Sequence, residues 1–249
     1  MHYLSVFTRQ QAAAAVGDKA FLYATAPGVA LHELSHAVMC LVFGHRISEL
    51  KLFSPSSDGT LGYVNHSYNR RNLYHVIGNF FIGTAPIWGG ALAISLAAYL
   101  LLGPAGLMQV PGAERSGLAL SSLDGATAFL SRFLDAMVHF LTHAPYTAWS
   151  RDWRFYLFLY LAFSIGCHVT LSPPDISSGI AGFGVLAVVV LVANLATLWF
   201  TRLLPDAAHQ FALLSGTFLS LLLVVLVLNF FLALAAALFA QLRSALLPR

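Results

Sequence analysis

PGVALHELSHAVMCLVFGHRI, residues 27–47, sets a His-Glu-x-x-His pattern inside a run that is otherwise almost wholly apolar. A helix that crosses a bilayer needs about 20 predominantly apolar residues. Ionisable groups placed in such a helix are costly and are retained where they serve a site. The stretch therefore predicts a membrane helix built around a polar centre.

Composition extends this reading outward. The chain has 249 residues, of which 58% are hydrophobic and 9% charged, and its mean hydropathy is +0.75. A soluble domain carries about 25% charged residues. Residues 72–113 and 176–201 contain no Asp, Glu, Lys or Arg. About five spans are expected, near residues 21–43, 75–102, 153–172, 177–200 and 209–241. The fold class is an all-α polytopic membrane protein, with a small membrane-associated β-hairpin after the first span. One membrane-embedded domain covers residues 1–249.

Three segments lie outside the spans. Residues 1–20 lack a basic region followed by a cleavable apolar one, so they read as an interfacial helix and not as a signal peptide. In residues 44–72, two partly alternating segments flank the turn sequence SPSSDG, which predicts the hairpin. Residues 103–152 have apolar positions at helical spacing with polar interruptions, as in an amphipathic helix at the interface. Arg46, Lys51, Arg70 and Arg71 cluster in the hairpin loop, which places that loop on the cytoplasmic side. The expected location is the bacterial cytoplasmic membrane, as a multi-pass protein. A net charge of +3 from scattered groups suits contact with a lipid bilayer and gives no reason to expect nucleic acid. Cys40 and Cys167 fall in apolar segments and read as small buried hydrophobes, neither a disulfide nor a thiolate site.

The chemistry lies in HELSH, residues 32–36. His32 and His36 stand four apart, so a helix puts both rings on one face, where they can share a zinc ion. Glu33 points about 100° away, suited to take a proton from a zinc-activated water without itself being a ligand. The third ligand is open. After Glu33 the only glutamates are Glu49 and Glu114, both outside the spans. Asp175 opens the fourth span on the side towards which the HELSH helix runs, and is the leading candidate. The plainer alternative is a helix cap, for which an aspartate at a helix start is also suited. His168 competes, as a ligand or as a donor to the bound water or a substrate oxygen, and reads equally as a buried histidine bonded across helices. Ser172 is placed to orient Asp175. His139 and His143 read as solvated residues, and His45, His66 and His75 as interfacial polar ones. Asn79 suits an interhelical hydrogen bond or substrate backbone.

The same stretch resembles the signature helix of the site-2 protease family of intramembrane zinc metalloproteases. Gly44 and the hairpin over about 46–69 extend the likeness. The resemblance implies Zn2+ on His32 and His36, Glu33 as general base, and an aspartate of a later span as third ligand, which by position is Asp175. That family's later motif runs Asn-x-x-Pro then Asp-Gly. Here Pro173 and Pro174 precede Asp175 and Ile176 follows it, while a literal Asp-Gly occurs at Asp124 and Gly125. Asp124 therefore stays an outside candidate, and the chain reads as a divergent member. The expected substrate is the transmembrane segment of another membrane protein. A second class of function is a catalytically inactive membrane protein that retains its metal for structure or for partner binding.

Overall fold

The computed structural model describes residues 17–56, 59–103 and 152–198, together with 131, 234, 237 and 241. These residues form α1 (Asp18–Ala24), α2 (Ala26–Val42), β1 (Arg46–Lys51), β2 (Tyr63–Ser67), α3 (Leu73–Leu102), α4 (Trp153–Gly166) and α5 (Pro173–Leu198). The described residues fall into two compact units. One contains 17–92 and 161–190, the other 93–103, 152–160 and 191–198. Every residue of the site discussed below belongs to the first unit.

Helix α2 is inside-out. Glu33, Ser35, His36, Ala37 and Cys40 are buried, while Leu34, Val38, Leu41 and Val42 are exposed. The HELSH stretch thus turns its polar side chains inward, while Val29 nearer the N-terminus is buried as well. At the N-terminal end, the Gly28 amide is shared between Thr25 O at 3.0 Å and Ser164 Oγ of α4 at 2.9 Å, and that hydroxyl donates to Thr25 O at 3.2 Å. At the other end, Gly44 adopts φ 69° and closes a Schellman motif. Its amide bonds Leu41 O at 3.2 Å, and the His45 amide bonds Cys40 O at 2.8 Å. The chain turns back directly into β1.

The hairpin forms as expected. β1 and β2 pair antiparallel, from Arg46 with Ser67 to Lys51 with Tyr63, and a bulge lies between Ile47 and Glu49. Glu49 stays on the exposed face, where its carboxylate accepts from Tyr63 Oη at 2.8 Å and pairs with Lys51 at 3.4 Å.

Two helical segments, Leu73–Leu102 and Pro173–Ala193, are long and apolar enough to cross a membrane. They agree with the second and fourth expected spans. The first and third are shorter than expected. A continuous helix over 21–43 is broken at Thr25, because Pro27 in the first turn of α2 has no N–H to carry the ladder across. A helix over 153–172 stops at Gly166, and residues 167–172 run irregularly to Pro173 and Pro174, which disfavour helix before them. Residues 1–16 and nearly all of 103–152 and of the fifth expected span lie outside the described residues, as do Asp124, His139 and His143.

Helices α3 and α5 approach closely where glycine permits it. A Cβ on Gly83 would lie 2.5 Å from Asp175 O and 3.1 Å from Gly179 Cα. This contact brings the first turn of α5 beside Ile82, and so beside α2.

Candidate metal centre

The one-turn spacing of His32 and His36 on α2 carries both rings to the same place, and their Nε2 atoms lie 3.2 Å apart. Each ring is held from behind by a backbone carbonyl. His36 Nδ1 donates to Ile82 O at 2.7 Å, and His32 Nδ1 donates to His168 O at 2.8 Å. A carbonyl only accepts, so the proton of each neutral ring sits on Nδ1 and the lone pair on Nε2. Two lone pairs facing each other at 3.2 Å repel unless a cation lies between them.

Both carbonyls are ones that a regular helix would not spare. Ile82 is four residues before Pro86, which has no N–H with which to claim the Ile82 oxygen. His168 stands just past the end of α4, where carbonyls lose their intrahelical partners. Pro86 and the unwound 167–172 segment thus supply the two anchors of the site.

Asp175 joins the imidazoles from α5. Its Oδ1 is 3.4 Å from His36 Nε2, and its Oδ2 is 3.9 Å from His32 Nε2. Asp175 also takes part in a capping box with Ser172, the residue before α5. Oδ2 accepts from the Ser172 amide at 2.8 Å and from Ser172 Oγ at 2.5 Å, while the Asp175 amide approaches that Oγ at 3.4 Å. Ligand and cap, alternatives on sequence grounds, are compatible here: Oδ2 closes the helix start while Oδ1 faces His36.

The three ligand atoms lie within 4.8 Å of one another. Zinc bonds of about 2.0–2.1 Å at the tetrahedral angle place neighbouring ligand atoms about 3.3 Å apart. The His32–His36 separation of 3.2 Å and the His36–Asp175 Oδ1 separation of 3.4 Å meet that requirement, and the same carboxylate reaches His32 through Oδ2 at 3.9 Å. Two neutral imidazoles and a carboxylate suit zinc better than a hard cation such as magnesium. The residues fit the metal.

The centre opens on a cavity of about 480 Å³, walled by α2, the hairpin, Ile82 and the start of α5. Glu33 lines it beside the two histidines, and Tyr63, Val64, Asn65 and His66 of β2 form its opposite wall. Gly62 lies against Glu33, and a Cβ there would stand 2.7 Å from Glu33 Cγ. Sequence reading did not single out Gly62, though a glycine leading into a strand marks a close approach of this kind.

His168 does not join the ligand cluster. Its Nδ1 faces Ser164 O at 3.2 Å, and its contribution is the backbone carbonyl that holds His32. Asn79 is buried on α3 and does not line the cavity. Cys40 is free and buried, as expected, but it does not stand apart from His45 and His66: their ligand atoms also lie within 4.8 Å of one another. Burial lowers the pKa of both His45 and His66 from the ordinary value; the hydrogen bond to His75 O partly offsets this at His45, and the charge of nearby His45 adds to it at His66.

No family model, curated protein or solved structure matches the chain.

Proposed function

We propose that this chain is a multi-pass intramembrane zinc endopeptidase, a divergent relative of the site-2 proteases, that hydrolyses peptide bonds in transmembrane segments of membrane-protein substrates. The observation that carries the reading is the convergence of His32, His36 and Asp175 on one point, from two helices far apart in sequence, with Glu33 on the wall of the same cavity. A purely structural metal has no use for Glu33 and is usually closed by four protein ligands.

Bound there, zinc supplies the Lewis acidity that ionises water near neutral pH and polarises a peptide carbonyl. The protein's own groups do the rest. Ile82 O and His168 O hold the imidazoles in one tautomer and one orientation, and Ser172 does the same for Asp175. The Glu33 carboxylate takes a proton from the attacking water and passes it to the leaving amine nitrogen. The β2 wall faces the centre with extended backbone, which suits a substrate that has left its helix and lies alongside as a strand. Such unwinding is required, since the peptide groups of a spanning helix are otherwise locked in their own hydrogen bonds.

The test is to reconstitute the protein and its Glu33→Gln variant in liposomes with solubilised membrane proteins and to map new chain termini by mass spectrometry. Termini inside apolar spans, present with the parent chain and absent with the variant, are expected. Termini that are identical for the two chains would refute the reading.

A further inference from the structure

We propose that Cys40 Sγ, His45 Nδ1 and His66 Nδ1 form a second metal site, for a zinc-class cation, which fastens the hairpin to the end of α2. The proposal does not depend on proteolysis.

Backbone geometry assembles the three residues. The Schellman motif after α2 bonds the His45 amide to Cys40 O at 2.8 Å, so residues five apart are folded onto each other. Strand register pairs Ile47 with His66 and thereby carries His66 across to the same place. Cys40 is 0% exposed and His45 4%.

The orientation of His45 is that of a ligand. Its Nε2 donates to His75 O at 2.8 Å, so the neutral ring keeps its lone pair on Nδ1. That atom faces His66 Nδ1 at 3.0 Å. Tyr68 stacks on the ring with centroids 4.8 Å apart and an interplanar angle of 14°, and fixes its plane. A carbonyl behind the imidazole and a rigid ring are what metal-binding histidines usually show. Mixed thiolate and imidazole ligation selects zinc-class ions over magnesium or calcium.

Without a metal, His66 Nδ1–H donates to His45 Nδ1. Uptake of a divalent cation releases the Cys40 thiol proton to solvent and shifts the His66 proton from Nδ1 to Nε2, so the net release is one proton per metal. His66 also lines the catalytic cavity, so the second metal would set the position of that wall.

Cobalt(II) distinguishes the two centres, because only a thiolate ligand gives a sulfur-to-metal charge-transfer band in the near ultraviolet. The full-length protein, stripped with chelator and titrated with cobalt, is expected to bind two equivalents and to show the band. The band should persist in the His32→Ala/His36→Ala double variant, which binds one equivalent. It should vanish in Cys40→Ser and in His66→Gln, each binding one equivalent without it. Binding of a single equivalent without the band by the parent chain overturns the proposal, as does a band that survives Cys40→Ser. Failure of the His32 and His36 centre alone would instead leave one equivalent with the band intact.

Discussion

Pro86 stands one helical turn beyond Ile82, and the carbonyl it leaves without a helical N–H is the one that accepts the His36 Nδ1 proton at 2.7 Å. A proline inside an apolar helix ordinarily reads as a kink or a packing feature. Here it also provides an acceptor at a buried residue, Ile82. Replacing Pro86 with Ala restores an N–H that competes for Ile82 O. Zinc affinity should fall by about 10-fold, the lower end of what loss of such support costs, because a carbonyl has two lone pairs. Thermal stability should hold or rise. Competition with a chromogenic chelator measures the first and differential scanning calorimetry the second.

Ser172→Ala removes both the hydroxyl that caps α5 and the donor that orients Asp175. A lost cap costs about 1 kcal/mol of stability, and a lost supporting hydrogen bond about 10-fold in metal affinity. Thr at the same position should restore both. Loss of stability with unchanged zinc binding would show that the hydroxyl serves the helix alone.

The contact between α3 and α5 places Asp175, so added bulk at Gly83 should act on the metal from a distance. A Cβ there meets Asp175 O at 2.5 Å, whereas one on Gly184 of α5 meets nothing within 4 Å. Gly83→Ala is expected to weaken zinc binding and cleavage together by at least about 10-fold, in the range of other changes around the ligands. Gly184→Ala should leave both unchanged. Parallel zinc titrations of the two variants check the contrast.

Burial lowers the pKa of His45 and His66 in the folded protein, so the unfolded chain binds more protons than the folded one in acid. Stability at the hairpin is then full above the unfolded value, about 6.5, and is lost as pH falls below it. In chelator-treated protein, hydrogen exchange of the β1 and β2 amides, corrected for the intrinsic rate, should show weaker protection at pH 5.5 than at pH 7.5. His45→Gln should flatten that difference. Protection that increases in acid would contradict the assignment.

Much of this arrangement is legible in the chain itself. HELSH marks the centre because histidine and glutamate in an apolar helix have few other uses, and SPSSDG between partly alternating segments marks the hairpin. Asp175 stands where topology asks for a third ligand. Its double placement is less visible, since Ser-Pro-Pro-Asp also reads as a cap and only the distances put the carboxylate beside both Ser172 and the imidazoles. The break at Thr25 and the stop at Gly166 escape hydropathy, which averages over a window and does not register single hydrogen bonds. His168 attracts attention through its ring, yet its carbonyl reaches the site, and every residue has a carbonyl. The gathering of Cys40, His45 and His66 depends on strand register across a turn, which periodicity leaves open.

The most direct test of the central claim measures zinc content and cleavage on one preparation of Glu33→Gln in a Cys40→Ser background. About one zinc per chain with no cleavage is predicted, since the ligands remain and only the proton carrier is lost. Cleavage at the parent rate, or a chain that no longer holds zinc, would contradict it.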